Sequence, residues 1–298
     1  MHIIYPISRS DENGCLEVAE AIRAVGKQHG HRATVLTAPN TGKDALLFAD
    51  VIKDTFDRVE RVSTQAIPNG GWPQACNQHF FEAALFVFRD ADPQHGQWLW
   101  HELDACPIDP EWCNKLVKEL QLVNGTGKFL PFMGVINESL AFDQETQQVS
   151  VTGKHMVGVG IYPQNLFEGS ILIRSVGQMG LPFDHYLQHE IVPHCHDTKL
   201  IAHRWGTRHY KWKANTMEME DQEPLRYGVK HATPIDTREA VLVHGCKDLT
   251  LARQVLARFS PDAKPVEPPV VELDDPEDPE DEDDLAIAGP SRRGKKRS

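Results

Sequence analysis

The sequence lacks the patterns that define several large classes of protein. Its 298 residues contain no run of 18 apolar residues and no recognisable secretory leader, so a membrane-spanning or secreted chain is not predicted. The six cysteines form no C-x-x-C pair, which argues against a zinc ribbon and favours a reduced, cytoplasmic protein. Neither G-x-x-x-x-G-K-[ST] nor G-x-S-x-G occurs, so the sequence predicts neither a P-loop nor a serine nucleophile elbow.

An excess of basic residues is absent as well. The chain has 43 acidic residues against 31 Lys and Arg, a net charge of −12. Residues 261–298 hold 12 of the acidic and six of the basic residues, so half of the net charge lies in this C-terminal segment. The remainder is mildly acidic and lacks the basic footprint of a nucleic-acid-binding protein. Its hydrophobic content is that of an ordinary globular domain.

The C-terminal segment differs sharply from the rest in composition. Residues 273–284 read LDDPEDPEDEDD, and residues 292–297 read RRGKKR. Such a segment buries too little apolar surface to offset the loss of chain entropy, so we predict a disordered tail. The predicted organisation is therefore a folded domain over 1–260 and a tail over 261–298. A solubilising role and a role as a tether to a partner both remain open.

Deleting residues 265–298 is expected to leave the melting temperature nearly unchanged, because a segment rich in Pro, Asp and Glu has no apolar face to pack. Thermal unfolding of the full chain and of the truncated chain, followed by circular dichroism, measures this. A large fall in the melting temperature would mean that the tail docks on the folded domain.

Strand and helix patterns alternate along the first half of the chain. This alternation predicts an α/β fold with a mostly parallel sheet flanked by helices. The predicted strands are residues 2–7, 33–37, 56–62, 98–100 and 129–135. The predicted helices are residues 15–29, 44–51, 72–81 and 110–122, and residues 84–88 either continue the third helix or form a short strand.

Beyond residue 150 the pattern becomes less regular. Residues 153–163 contain three glycines with few bulky neighbours, which suits a strand or loop whose backbone a ligand approaches closely. A polar helix is predicted over 182–191, strands over 199–203 and 240–244, and a closing helix over 249–259.

Two carboxylates mark the first candidate site. Glu102 and Asp104 follow the apolar run Trp98–Leu99–Trp100. If the strand continues through them, residues at i and i+2 face the same side of it. Carboxylate oxygens suit Mg²⁺ or Mn²⁺, and such an ion neutralises a pyrophosphate leaving group. Two exposed carboxylates in a loop are the alternative.

A second candidate site follows a late strand. His244 can serve as a third metal ligand, and Lys247 can contact a phosphate as a point charge. His203 ends a similar strand and competes with His244 for the ligand role. Asp184 and Glu190, on the predicted polar helix, are candidate general bases for an acceptor hydroxyl.

Taken together, the chain resembles metal-dependent glycosyltransferases of the GT-A type, and in particular small glycosyltransferase-like proteins often encoded by bacteriophages. The resemblance extends over about residues 1–260. It rests on blocks at 70–77 (GGWPQACN), 100–107 (WHELDACP), 132–134 (FMG), 155–163 (HMVGVGIYP), 183–191 (FDHYLQHEI) and 244–248 (HGCKD).

This resemblance implies a GT-A-like, Rossmann-like fold. Glu102 and Asp104 match the D-x-D motif that holds the metal and the sugar-nucleotide diphosphate, with Glu in place of the first Asp. His244, Gly245 and Lys247 match the late metal-binding His and the Gly and Lys that often follow it, which makes Gly245 and Lys247 candidate cofactor-binding residues. Asp11 matches the nucleotide-contacting loop.

The implied reaction moves a sugar from a nucleotide-sugar donor to a hydroxyl acceptor, with Mn²⁺ or Mg²⁺ as cofactor. The acceptor can be a glycan, a protein or, through the phage resemblance, a modified DNA base. In that case the protein acts in the host cytoplasm. Two alternatives remain: a nucleotidyltransferase, and a binding protein of the same fold without catalytic activity.

Overall fold

The computed structural model describes residues 1–8, 11, 13–39, 41–65, 71–90, 96–143, 148–203, 210–212, 216–219, 235–246 and 249–260. The predicted tail, 261–298, lies outside these residues, and so does Lys247. The alternation of strands and helices predicted for the first half is confirmed. Its elements are β1 (His2–Ile7), α1 (Cys15–Val25), β2 (Gln28–Thr37), α2 (Lys43–Ile52), β3 (Phe56–Ser63), α3 (Gln74–Asp90) and β4 (Gln97–Trp100).

Several predicted boundaries in this half are wrong; the strand predicted over 33–37, for example, begins at Gln28. The first helix ends at Val25 rather than at residue 29, because Gly26 adopts a φ of 108°. This left-handed conformation favours glycine and breaks the helix. Of the two options left open for residues 84–88, the structure has the helix, since α3 continues through them as one helix of 17 residues.

The second half contains shorter elements around one long hairpin. The strands are β5 (Ala105–Pro107), β6 (Phe132–Asp143), β7 (Gln148–Pro163), β8 (Cys195–Asp197), β9 (Ile201–His203), β10 (Tyr210–Trp212), β11 (Thr216–Met219), β12 (Ile235–Asp236) and β13 (Leu242–His244). The helices are α4 (Trp112–Gly125), α5 (Leu166–Gly169), α6 (Phe183–Tyr186), α7 (Gln188–Ile191) and α8 (Thr250–Phe259). The helix predicted over 182–191 is therefore two short helices.

A seven-stranded mixed sheet forms the centre of the fold, in the order β3-β2-β1-β4-β7-β6-β8. The first four strands are parallel to one another, and β7 runs antiparallel to both β4 and β6. This confirms the predicted α/β class with a mostly parallel sheet. A separate three-stranded sheet, β5-β13-β9, joins the segment after β4 to the last strand of the chain.

Alternate residues of the central strands pack on opposite faces of the sheet, as the pleat requires. Tyr5 and Leu99 belong to the core beneath α1, α2 and α4. Trp98 and Trp100 belong to the other core, with Phe80 of α3 and Phe183 of α6. The Phe80 and Phe183 rings stack with their centroids 3.8 Å apart, which fixes the start of α6 against the sheet.

Within the part of the chain that the structure describes, none of the helices has the length and apolar character needed to cross a bilayer.

Candidate active site

A cleft of about 840 Å³ opens at the carboxyl edge of the parallel strands. Its wall is formed by the residues that directly follow four strands: Ser8 and Asp11 after β1, Ala38 and Pro39 after β2, Gln65 after β3, and Glu102 and Asp104 after β4. Residues at the starts of α1 and α3 or just before them complete it: Asn13, Gly14, Trp72 and Ala75.

The position of the cleft follows from the strand order. From β1 the chain moves to β2 and β3 on one side and then returns to β4 on the other side of β1. The loops after β1 and β4 therefore leave the sheet in opposite directions and open a crevice between them. Open α/β sheets bind ligands at such a switch point.

The predicted pair of carboxylates, which lines this cleft, converges with His244. His244 Nε2 lies 3.2 Å from Glu102 Oε2 and 3.3 Å from Asp104 Oδ1. The side chains of His244 and Asp104 are nearly buried, at 8% and 10% exposure, whereas Glu102 keeps 28%. A ligand in the cleft can therefore contact the carboxylates of Glu102 and Asp104, whereas the imidazole of His244 lies behind them.

The reason predicted for this convergence is wrong. Glu102 and Asp104 do not lie in a strand, because β4 ends at Trp100 and both residues form part of the turn before β5. The turn, rather than strand alternation, brings the two carboxylates to one side.

Three contacts fix the carboxylates in place. The buried Trp100 side chain donates its Nε1–H to Glu102 Oε1 at 3.1 Å, which leaves Oε2 directed at His244. The backbone N–H groups of Gly245 and Cys246 both donate to the Asp104 carbonyl, at 3.0 and 2.8 Å. Gly245 adopts a φ of 98°, which a glycine tolerates best.

Gly245 was predicted as one of the cofactor-binding residues. Its amide binds the Asp104 backbone, so the part of Gly245 in the site is to hold the carboxylate loop.

The electrostatics of the group favour a cation between the carboxylates. Burial alone would lower the pKa of His244, but the charges and hydrogen bonds of Asp104 and Glu102 raise it to about 9. The metal-free protein therefore holds a proton on His244 at neutral pH, and this imidazolium supplies the positive charge that the carboxylates require.

The same three atoms fit a divalent ion. Around Mg²⁺ or Mn²⁺, neighbouring octahedral ligands at about 2.1 Å from the ion lie about 3 Å from each other. His244 Nε2 lies 3.2 and 3.3 Å from the two carboxylate oxygens, close to this value, and the three ligand atoms all lie within 4.8 Å of one another. Two carboxylate oxygens and one imidazole nitrogen are also a donor set that suits Mn²⁺.

A second group of possible ligands, His155, Asp184 and His185, is less well arranged for a metal ion. Its ligand atoms lie within 4.8 Å of one another. The two imidazoles, however, are stacked, with centroids 3.9 Å apart and planes inclined by 25°. Their lone pairs lie in the ring planes and so run nearly parallel instead of converging on one point.

Asp184 is electrostatically connected to the first group. Burial, followed by the negative charge of Glu102, raises its pKa from 3.8 to about 7. Burial and the neighbouring His185 lower the pKa of His155 to about 4, so that imidazole is neutral at pH 7. This side of the site therefore offers uncharged hydrogen-bonding groups and one carboxyl that titrates near neutrality.

Asp184→Asn is expected to remove a pH-dependent loss of stability. The raised pKa means that the folded state holds the proton more tightly, so this carboxyl costs stability as the pH rises from 3.8 through about 7. The shift corresponds to on the order of 4 kcal/mol once the group is fully ionised.

Urea unfolding of both proteins at pH 4.5 and pH 8 measures the effect. The variant should gain stability relative to the wild type as the pH rises. Its free energy of unfolding, minus that of the wild type, should be several kcal/mol larger at pH 8 than at pH 4.5. Curves that stay parallel across this range would show that Asp184 is not forced to ionise in a buried site. The Asn side chain keeps the Oδ1 acceptor for the His185 amide, which Asp184 binds at 2.9 Å.

The other predicted site residues lie in different surroundings. Asp11 lines the cleft, and its Oδ2 accepts hydrogen bonds from the Ser8 amide at 2.9 Å and the Ser8 hydroxyl at 2.5 Å. Glu190 accepts hydrogen bonds from the Ser170 hydroxyl and from the amides of Ile171 and Leu172. The carboxylate of Glu190 therefore holds that loop, and we do not retain it as a candidate base.

His203, the predicted competitor of His244, lies behind it. The two Nδ1 atoms are 3.0 Å apart, while Nε2 of His244 points to the carboxylates.

Gly158 is a site residue that the sequence interpretation missed. A Cβ atom on Gly158 would lie 2.6 Å from Glu102 Oε1 and 3.2 Å from Phe183 Cζ. The glycines of 153–163 indeed indicated a close approach to the backbone, but at Gly158 the approaching groups are side chains of the protein itself rather than a ligand.

The fold is similar to solved GT-A glycosyltransferase structures. The apo structure of the bifunctional glycosyltransferase WbbM matches with a TM-score of 0.53 and 10% identity, over 87% of this chain and 50% of that protein. The galactosyltransferase LgtC, solved with donor and acceptor sugar analogues, gives a TM-score of 0.48 and 10% identity, over 89% and 98% of the two chains. At such identities the likeness establishes the GT-A-like fold alone.

No protein-family model matches the sequence, and no curated protein matches it either. The comparisons give no support to the predicted link with bacteriophage proteins or DNA modification.

Proposed function

We propose that this protein is a metal-dependent glycosyltransferase that moves a sugar from a nucleotide-sugar donor to a hydroxyl acceptor. The observation that carries the proposal is the convergence of Glu102, Asp104 and His244 beside a large cleft at the switch point of a GT-A-like sheet. Two carboxylates and an imidazole at that edge can hold Mn²⁺ or Mg²⁺ against a diphosphate. When bound, such an ion neutralises the charge that develops on the leaving group.

The residues of the chain divide the remaining work. Asp104 and Glu102 bind the cation, and the Trp100 indole keeps the Glu102 carboxylate oriented. The donor nucleotide occupies the cleft over the ends of β1 to β3, where Asp11 and the first turn of α3 form the wall. We also propose that Lys247, two residues after Gly245, contacts the diphosphate as a positive point charge.

Asp184 is the proposed group that contacts the acceptor. Its pKa of about 7 leaves the carboxylate partly ionised at neutral pH while it remains basic enough to take a proton from a hydroxyl. Its interaction with Glu102 places it near the metal-binding group, and the neutral imidazole of His155 beside it can accept or donate hydrogen bonds to sugar hydroxyls.

A screen of nucleotide-sugars tests the proposal. The full chain is incubated with each donor and Mn²⁺ or Mg²⁺, and both its melting temperature and the released products are measured. The proposal expects stabilisation by one donor class, dependent on the metal, and release of nucleoside diphosphate. Release of pyrophosphate from a nucleoside triphosphate and a sugar phosphate would instead identify a nucleotidyltransferase. Metal-dependent stabilisation without turnover of any donor and acceptor pair would indicate a binding protein.

A further inference from the structure

The two imidazoles of His203 and His244 face each other through the same ring nitrogen. Their Nδ1 atoms lie 3.0 Å apart, and the ring centroids are 4.7 Å apart. At that separation one nitrogen must carry a hydrogen and the other must accept it.

The strand register fixes this arrangement. β9 and β13 run parallel, with His203 paired directly with His244. Paired residues of neighbouring strands project from the same face of a sheet, so the two rings lie side by side. The third strand, β5, pairs Ala105 with His244, which brings the Asp104 loop to the far side of the ring. One small sheet thus places a neighbour at each nitrogen of His244.

Which of the two Nδ1 atoms carries the hydrogen is decided at the other nitrogen of His244, Nε2, which faces the carboxylates. A metal ion at Glu102 and Asp104 takes the lone pair of His244 Nε2, so Nε2 carries no hydrogen in that state. The one N–H hydrogen of the neutral His244 ring must then be on Nδ1, where it is donated to His203 Nδ1. Metal-binding histidines are commonly oriented by such a bond at their second nitrogen.

The geometry points to His203 as a positioning residue: its Nδ1 lone pair selects the tautomer of His244 that can bind the metal, and it holds the ring toward the two carboxylates. This inference rests on the proposed metal-dependent function. It assigns no direct metal contact to His203, because the His203 Nδ1 atom lies on the side of the His244 ring that faces away from Nε2.

A matched pair of variants tests the role of the hydrogen-bond acceptor on residue 203. In His203→Asn the Oδ1 atom can occupy the place of the imidazole Nδ1 and accept the same hydrogen bond. In His203→Leu a side chain of similar size and shape has no acceptor. Mn²⁺ affinity is measured for the wild type and both variants at pH 7.5, by the electron paramagnetic resonance signal of free Mn²⁺ and by isothermal titration calorimetry. Neither readout requires a donor, an acceptor or turnover.

The expected result is that His203→Leu weakens Mn²⁺ binding by about tenfold or more, while His203→Asn stays within about threefold of the wild type. Equal affinity of the Leu variant and the wild type would overturn the inference. Equal losses in Asn and Leu variants that both retain the wild-type circular dichroism spectrum would overturn it too, in favour of direct ligation by the imidazole. Wild-type protein that binds neither Mn²⁺ nor Mg²⁺ would overturn the proposed function and this inference with it.

Discussion

Asp104→Asn is expected to lower donor turnover by about a hundredfold or more and to weaken Mn²⁺ binding. The substitution keeps the shape of the side chain but removes one of the two negative charges beside His244 Nε2, which lies 3.3 Å from Asp104 Oδ1. Loss of one preorganised electrostatic contact at a reacting centre costs on the order of 10²–10³ in turnover. The fold should persist, because the amides of Gly245 and Cys246 bind the backbone carbonyl of Asp104 rather than its side chain.

Turnover is measured as nucleoside diphosphate release in buffer treated with a chelator and supplied with defined Mn²⁺. Asp57→Asn is the matched control, since Asp57 is half exposed and lies at the start of β3, at the edge of the sheet away from the cleft. The control should retain the activity of the parent. If Asp104→Asn were fully active without added metal, the metal-dependent mechanism would be wrong.

Gly158→Ala is expected to lower Mn²⁺ affinity by about 10- to 100-fold while the protein remains folded. The added Cβ would stand 2.6 Å from Glu102 Oε1, so the carboxylate must move. The movement breaks its hydrogen bond to Trp100 Nε1 and shifts Oε2 away from His244. Because the displaced atom is the end of a flexible side chain, the cost in stability should be only about 1–2 kcal/mol.

Gly96→Ala is the control for this substitution. Gly96 directly precedes β4, and a Cβ atom there would meet nothing within 4 Å. Its Mn²⁺ affinity and melting temperature should equal those of the parent. Unchanged Mn²⁺ binding by Gly158→Ala would mean that Glu102 Oε2 does not contribute to the cation site. Thermal unfolding with and without Mn²⁺ separates this effect from a general loss of stability.

The central sheet could be predicted from the sequence because local hydrophobic patterns indicate its strands and the helices that flank it. Residues 2–7 and 98–100 are short apolar runs between polar turns, and both are strands with the predicted limits to within one residue. The closing helix over 249–259 was predicted to within one residue as well. Failures occurred where one conformational detail decided the result, such as the left-handed Gly26 that ends α1.

The residue types of the candidate site could also be recognised in the sequence. Carboxylates after an apolar run, and a histidine followed by glycine, carry their chemistry wherever the chain places them. The sequence therefore predicted Glu102, Asp104 and His244 as the ligands of one metal ion. Their proximity in the structure agrees with that choice, although the reasoning from strand alternation was wrong for the carboxylates.

What the sequence determined by itself is the α/β class and the supply of groups able to bind a cation. What only the tertiary structure decided is how each group is used. The carboxylate of Glu190 holds a loop in place, because it accepts three hydrogen bonds from residues 170–172. His203 was placed behind His244 by a strand register that joins residues 41 positions apart. The physical reason is that hydrogen-bond partners and pKa values depend on neighbours distant in the chain, and no local pattern records which neighbours these are.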